Sequence, residues 1–145
     1  MMDVKTYLRQ IGRKDARIKG MLERQQRYRD MATHSTQVYR DMPGGGRRSA
    51  SSCEEYVCKI VDLEREMDRA IDEYVDITRE VERAIDALPD DRHRDILRFR
   101  YVNGWGWDKI AAAMGYSVDW VWHLHGKAVL MVDKTRQTKT VLDVL

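Results

Sequence analysis

A row of apolar and small residues between positions 56 and 88 is the feature that most constrains how this chain folds. Its ten members alternate at spacings of four and three without a polar interruption: Tyr56, Ile60, Leu63, Met67, Ala70, Tyr74, Ile77, Val81, Ala84 and Leu88. This spacing is typical of the contact seam of a coiled coil. One helix cannot bury such a seam alone, so the row predicts an all-α protein with a long helix and a partner for it.

The charge distribution suggests that this partner is the N-terminal part of the same chain. The net charge is only +2, but residues 1–48 hold 12 basic and 5 acidic side chains, whereas residues 49–88 hold 5 basic and 12 acidic ones. Between the basic and the acidic parts lies the stretch MPGGGRRSASS, residues 42–52, whose composition disfavours a helix. We therefore predict an antiparallel helical hairpin over residues 1–87, closed by a loop at 42–52. The N-terminal seam is expected at Val4, Leu8, Ile11, Ile18 and Leu22.

The acidic helix carries more apolar surface than one partner helix would cover. Val57, Val61, Ile71, Val75 and Ile85 lie beside the seam and widen the stripe. This surplus favours self-association, and a homodimer is the preferred state. The alternative is a solvated scaffold that only spaces the C-terminal region from something else.

Two short amphipathic segments meet at a Gly-Tyr-Ser turn in residues 107–126, WDKIAAAMGYSVDWVWHLHG. The first buries Ile110, Ala111 and Met114, and the second buries Val121 and Leu124. Gly115 tolerates the positive φ of a sharp bend, and Ser117 can cap the following helix. The pattern predicts a helix-turn-helix head over residues 88–133, followed by a C-terminal tail at 134–145. An ordinary corner inside a helical domain is the competing interpretation.

The run LPDDRHRDILRFRYVNGWGWDKIAAAMGYSVDWVWHLHGKAV resembles region 4 of sigma-70 family factors, in which a helix and a short break precede a helix-turn-helix. The whole chain is similar to small sigma-region-4-like regulators carried by phages and prophages, which are related to late-gene activators of the RinA and ArpU type. The resemblance implies a transcriptional regulator that binds double-stranded DNA, with RNA polymerase as a further partner. The implied DNA-binding residues are Lys109, Ser117, Val118, Asp119, Trp122, His123 and Lys127.

The chain departs from the sigma pattern in the helix that would enter the DNA. Val118, Asp119, Trp122 and His123 stand where the sigma factors typically carry Arg, Glu and Gln. Residues 89–133 hold six basic and six acidic side chains, so this segment is formally neutral. Because phosphate neutralisation supplies much of duplex affinity, we expect such a module to need dimerisation or a protein partner.

Base recognition remains chemically feasible on this helix. Asp119 can accept a hydrogen bond from cytosine N4, and His123 can donate one to guanine. Trp122 can pack on a thymine methyl group or, equally well, anchor a protein contact.

Other function classes find little support. No catalytic constellation is recognisable, and Gly44-Gly45-Gly46 lacks the Lys-Ser/Thr pair of a phosphate-binding loop. His93, His123 and His125 lack the spacing of metal ligands, and Cys53 and Cys58 match no zinc framework, so no metal or cofactor is expected and both thiols should be reduced. There is no signal peptide or membrane-spanning apolar run, which predicts a cytoplasmic protein of a bacterial host.

The sequence therefore predicts a non-enzymatic transcriptional regulator of phage type. Two alternatives remain. A DNA-packaging factor resembling small terminase subunits would assemble into a ring rather than a dimer. A protein-interaction adaptor with a helix-turn-helix that no longer binds DNA would show no salt-dependent affinity for duplex DNA.

Overall fold

The computed structural model describes the backbone of residues 2–41 and 46–145 and the side chains of residues 2–34 and 52–145. Every regular element in these ranges is helical, which confirms the all-α prediction. The chain divides into two compact units. The arm unit is Lys14–Glu73, and the head unit combines the residues up to Arg13 with Tyr74–Leu145. Within the described ranges, no helix is both long enough and apolar enough to span a bilayer.

Two long helices, α1 (Val4–Asp41) and α2 (Gly46–Asp86), account for the whole arm unit and part of the head unit. The loop predicted at residues 42–52 is too long, because α2 already begins at Gly46. Its remaining residues, 42–45, lie outside the described residues. The segment after Gly46 contains Arg and Ala, which favour helix, so the helix extends further back than the Gly and Ser content indicated.

In the arm unit, the contacts between the two helices follow an antiparallel order. The Lys14 Nζ lies 3.3 Å from Glu73 Oε2, and further along α1 the amide of Gln25 donates to Glu64 at 3.3 Å. Position numbers thus rise on one helix as they fall on the other. A small apolar cluster fills this unit: Met21, Leu63, Met67 and Ala70, with Ile18 and Tyr28 at its edge.

The contact face of α1 differs from the predicted seam by one position. Leu22, expected to be buried, is 49% exposed, whereas its neighbour Met21 is 2% exposed. The step after Ile18 is three residues rather than four, and the buried face then continues at Gln25. A helix with 3.6 residues per turn permits either step, and adjacent apolar residues at 21 and 22 left the choice to packing.

The predicted seam of α2 is shared between the two units. Leu63, Met67 and Ala70 are buried in the arm unit, and Ile77, Val81 and Leu88 are buried in the head unit. Ile60 and Tyr74 are half-buried. Ile85, expected beside the seam, is fully buried in the head core. Val57, Val61, Ile71 and Val75 stay exposed.

The head core draws on both ends of the sequence. Val4, Leu8 and Ile11 from the first turns of α1 belong to one buried cluster with α2 and the C-terminal helices. The C-terminal members of this cluster are Ile96, Leu97, Ile110, Ala111, Val121, Leu124, Ala128, Val129 and Val132. The compact units therefore do not coincide with the predicted segments 1–87 and 88–133.

Short elements connect α2 to the last two helices. Helix α3 (Asp91–Leu97) starts at Asp90, whose carboxylate accepts a hydrogen bond from the Arg92 N–H at 2.8 Å. A π-helical turn, Arg98–Val102, follows directly and closes with a 2.9 Å bond from the Asn103 N–H to the Arg98 carbonyl. The chain leaves the helical conformation at Asn103-Gly104, and Gly104 has a φ of +71°.

The last two helices are α4 (Trp107–Met114) and α5 (Val118–Val144). Helix α5 continues without interruption to Val144, through most of the segment predicted as a C-terminal tail, residues 134–145. The Arg136 guanidinium lies 4.0 Å from the centre of the Tyr7 ring, and the Tyr7 hydroxyl donates to Glu80 at 3.3 Å. The C-terminal half of α5 is thus part of the head unit and has specific contacts with α1.

Candidate functional site

The turn between α4 and α5 is set by one glycine and one serine. Gly115 ends α4 in the left-handed conformation, at φ 71° and ψ 30°, and its N–H donates to the carbonyl of Ala111. Ser117 has an extended backbone, and its hydroxyl accepts a hydrogen bond from the Trp120 N–H at 3.2 Å. Glycine adopts the first conformation without steric penalty, and serine satisfies a free N–H at the start of the new helix.

Apolar side chains between α4 and α5 hold the two helices together. Ile110 and Val121 are completely buried, Ala111 is 6% exposed and Leu124 is 4% exposed. Met114 is half-buried and packs against the same core. The small side chain of Ala111 allows the helices to approach closely. The five residues expected to form the inner faces are thus brought together in the head core.

The opposite side of α5, which we call the outer face, consists of Asp119, Trp122, His123 and Lys127. All four side chains are exposed, and Trp122 has 55% of its surface accessible. One turn of helix separates Asp119 from His123, and another separates His123 from Lys127, so the face is continuous. It combines a carboxylate, an indole, an imidazole and an ammonium group.

The remaining predicted contact residues lie around this face with different exposure. Ser117 is exposed and Val118 is half-buried against the core. Lys109 on α4 is exposed, but its Nζ lies 4.3 Å from the centre of the Trp105 ring. Its ammonium therefore has an aromatic partner within the head unit.

His125 of α5 belongs to a hydrogen-bonded aromatic cluster in the head unit. The Tyr101 hydroxyl and His125 Nε2 are 2.7 Å apart, and the Trp107 ring meets the imidazole edge-on at 4.8 Å between centroids. Burial, which is the largest cause, and the positive charges of Lys5, Arg100 and Arg9 together lower the pKa of His125 to about 4. His125 is therefore a neutral imidazole at physiological pH. Burial also raises the pKa of Tyr101.

An open cleft of about 480 Å³ adjoins this cluster, and we call it the cationic cleft. Lys5 and Arg9 come from α1, Arg100 and Tyr101 from the π-helical turn, and Trp122 and His125 from α5. Among the described residues that line it, none is acidic. Arg100 is fixed in place, because its Nη1 donates to the Trp105 carbonyl at 3.0 Å and its guanidinium lies 4.3 Å from the Trp107 ring centre.

The sequence did not identify the cationic cleft. The sequence does contain one indication of it. Lys5 and Arg9 are one helical turn apart on either side of the buried pair Tyr7-Leu8, so both cations lie at the edge of a buried helical face. Which element that edge would meet depends on tertiary packing. Trp122 is the one residue of this cleft that the sequence assigned to the outer face.

Across residues 2–34 and 52–145, no three His, Cys, Asp or Glu side chains are grouped as ligands for an ion.

Comparison with known proteins identifies one family. A family model described as a protein of unknown function (DUF1492) matches residues 32–133, which is more than half of the chain. No curated protein matches the sequence. No solved structure matches it either.

Proposed function

We propose that this chain, which belongs to the DUF1492 family of proteins of unknown function, binds duplex DNA with the outer face of α5 and regulates transcription. One observation carries the proposal. On a single helix, Val121 and Leu124 are buried while Trp122 and His123, their immediate neighbours, are exposed. A helix held by its inner face and presenting a polar and aromatic outer face has the form that a DNA-reading helix requires.

The turn before α5 supports the interpretation of α4 and α5 as a helix-turn-helix. Only Gly115, Tyr116 and Ser117 separate the two helices, and Gly115 and Ser117 end one helix and begin the next. The resemblance to sigma region 4 then implies that the first turns of α5 enter the major groove. Asp119 and His123 are the side chains that can hydrogen-bond to base edges there.

The exposed apolar stripe of the arm supports a homodimer. Val57, Val61 and Ile71 on α2 are 49%, 43% and 41% exposed. A second copy that covered this stripe would bring two heads into one assembly, and two weak heads bind DNA jointly with far greater affinity than one. In this proposal the arm, an antiparallel hairpin, is the oligomerisation element. A phage-type regulator of this kind acts in the cytoplasm of its bacterial host, with RNA polymerase as a second partner.

Duplex binding by the full-length protein tests the proposal directly. We expect salt-dependent binding to random duplex DNA and tighter binding to fragments recovered by footprinting the tagged protein in its host. Replacing both Trp122 and His123 by Ala should lower affinity for the recovered fragments by at least about 30-fold, because two base contacts are lost and each contributes about 1–3 kcal/mol. Helicity should not change.

Trp120→Ala is the matched control, because Trp120 is also an exposed tryptophan of α5, at 46%, but packs edge-on against Tyr116 at 6.3 Å between ring centroids. It should retain specific binding. Identical footprints for the double variant and the wild type would contradict the assignment of the outer face. A closed ring in solution would favour a packaging factor. No affinity for duplex at low salt would favour a protein-interaction adaptor.

A further inference from the structure

The cationic cleft concentrates positive charge next to the outer face. Lys5 and Arg9 are one helical turn apart on α1, and Arg100 faces the same cleft from the π-helical turn. The three residues also act electrostatically on one side chain, since each lowers the pKa of His125. Three cations with no acidic residue among the described lining side chains create a positive potential that an anion would relieve.

The charge of the cleft favours a phosphate group as its ligand. Trp107 is not free to stack on a base, because it contacts both the Arg100 guanidinium and the His125 imidazole. Tyr101 is held by its hydrogen bond to His125. Besides the exposed indole of Trp122, the cleft offers positive charge and N–H donors. Arg100, fixed by the Trp105 carbonyl, is pre-organised to receive an oxyanion.

We propose that the cationic cleft binds a phosphodiester group of the DNA strand that contacts the outer face of α5. This inference rests on the proposed function. Trp122 connects the two surfaces, since it belongs to the outer face and also lines the cleft. A strand in contact with Trp122 therefore passes the mouth of the cleft, where Lys5 and Arg9 neutralise its backbone charge.

The proposal accounts for how a formally neutral helix-turn-helix segment acquires affinity. Residues 89–133 have equal numbers of acidic and basic side chains. Lys5 and Arg9 lie outside this segment in sequence but belong to the head unit. The N-terminal turns of α1 thus supply charge that the segment lacks.

The test is the salt dependence of duplex binding by the full-length Lys5→Gln/Arg9→Gln variant. Both side chains are exposed and Gln favours helix, so the fold should be retained. We expect affinity for specific and random duplexes to fall by the same factor. The slope of log affinity against log salt should decrease by about 2, because each lost phosphate contact removes about 1.

Arg24→Gln/Arg27→Gln is the matched control. It removes the same charge from exposed positions of α1 in the arm unit and should leave the slope unchanged. If the wild type binds duplex and Lys5→Gln/Arg9→Gln has the wild-type slope, the cleft proposal is overturned while the proposed function stands. If the wild type does not bind duplex, the proposed function fails and the DNA strand is excluded as the source of the phosphate.

A second measurement distinguishes a DNA phosphate from a free one. Inorganic phosphate is titrated into the wild type while the His125 ring is followed by NMR. Weak binding at the cleft should perturb the ring and raise its pKa from about 4, because a bound anion stabilises the imidazolium. Perturbation together with duplex binding supports the proposal. Perturbation without duplex binding means that the cleft serves a small phosphate compound, which overturns the proposal.

Discussion

The head and arm units bury apolar surface to very different extents. In the head, large side chains from five segments are completely inaccessible, among them Leu8, Ile85, Ile96, Ile110 and Val121. The arm core consists of Met21, Leu63, Met67 and Ala70, none of which is fully buried, while apolar side chains on both of its helices stay exposed. The head is therefore stabilised by its own buried core, whereas the arm retains exposed apolar surface that a partner can cover.

Ion pairs do not compensate for the smaller core of the arm. Lys14 and Arg17 both approach Glu73, at 3.3 and 3.9 Å, but all three side chains are substantially exposed. Exposed pairs of this kind contribute at most about 1 kcal/mol each and weaken with salt. The comparison thus assigns most intrinsic stability to the head and most capacity for association to the arm.

The largest effect is expected from removing a core side chain of the head. Ile96→Ala deletes a completely buried side chain and should lower the free energy of unfolding by about 3–4 kcal/mol. Leu63→Ala, the corresponding change in the arm, should cost about 2 kcal/mol, because its cluster is smaller and can collapse more easily.

Hydrogen exchange measures the two regions separately. We expect the amides of α3 to lose protection in Ile96→Ala, and those of the arm to be affected only in Leu63→Ala. Equal losses over the whole chain in both variants would mean that the head and arm unfold as one unit, and the comparison would fail.

A substitution on the exposed stripe should separate association from folding. Ile71→Glu replaces an apolar side chain that is 41% exposed by a carboxylate, so the stability of the monomer should change little. If a second copy covers this stripe, the buried charge should weaken the dimer by about 2 kcal/mol or more, which is at least about tenfold in the dissociation constant.

Sedimentation equilibrium at several protein concentrations measures this change. Arg69→Gln provides the control, since it alters the net charge by the same amount at an exposed position of α2 away from the stripe. Dimers of unchanged affinity in Ile71→Glu would rule out the stripe as the contact surface.

Substitutions at three glycines compare the backbone requirements of the head and the arm. Gly115→Ala should destabilise the head by about 1–2 kcal/mol, because a Cβ would meet no atom within 4 Å and the whole penalty comes from the φ of +71°. Gly126 and Gly20 lie inside α5 and α1, also with open space around them. Replacing either by Ala should stabilise its helix by about 0.5–1 kcal/mol.

Thermal unfolding of the three variants provides the measurement. A Gly115→Ala variant as stable as the wild type would show that the left-handed turn between α4 and α5 is not required. Stabilisation by Gly126→Ala but not by Gly20→Ala would indicate that the arm does not take part in the cooperative transition.

The features that follow from local chemistry could be predicted from the sequence. The bend at Gly115 and the cap at Ser117 depend on backbone preferences of single residues, and both occur as expected. The seam of α2 was recognisable because ten positions keep one spacing, so that no single residue determined the register. The all-α fold follows from the same periodicity.

Two kinds of feature could not be predicted: the choice between adjacent apolar residues for one buried position, and contacts that form only on tertiary packing. The choice between Met21 and Leu22 was ambiguous, because two apolar neighbours satisfy the same helical stripe. In α5, Arg136 packs on the ring of Tyr7, which is more than a hundred positions away in the sequence. The cationic cleft could not be predicted for the same reason, since Lys5 and Arg9 lie near the N-terminus and Arg100 lies far from them in the sequence.

The smallest expected effect is the pH dependence of the stability of the head, which originates at His125. Its pKa is about 4 in the folded protein and near 6.5 in an unfolded chain, so the unfolded state binds more protons between these values. Stability is therefore complete above about pH 6.5 and declines as the pH falls towards 4. After allowance for partial exposure of the ring, the loss between pH 7 and pH 6 should be about 0.5 kcal/mol.

Urea unfolding at the two pH values measures this loss, with His125→Gln as the variant that keeps a polar group near Tyr101 but does not titrate. It should show a smaller loss than the wild type, and the exposed His123→Gln should behave like the wild type. Lys5→Gln/Arg9→Gln should also reduce the loss, because these cations contribute to the low pKa. If instead His125→Gln retains the full dependence, the proton is taken up elsewhere, and the cations of the cleft do not control the charge of the head.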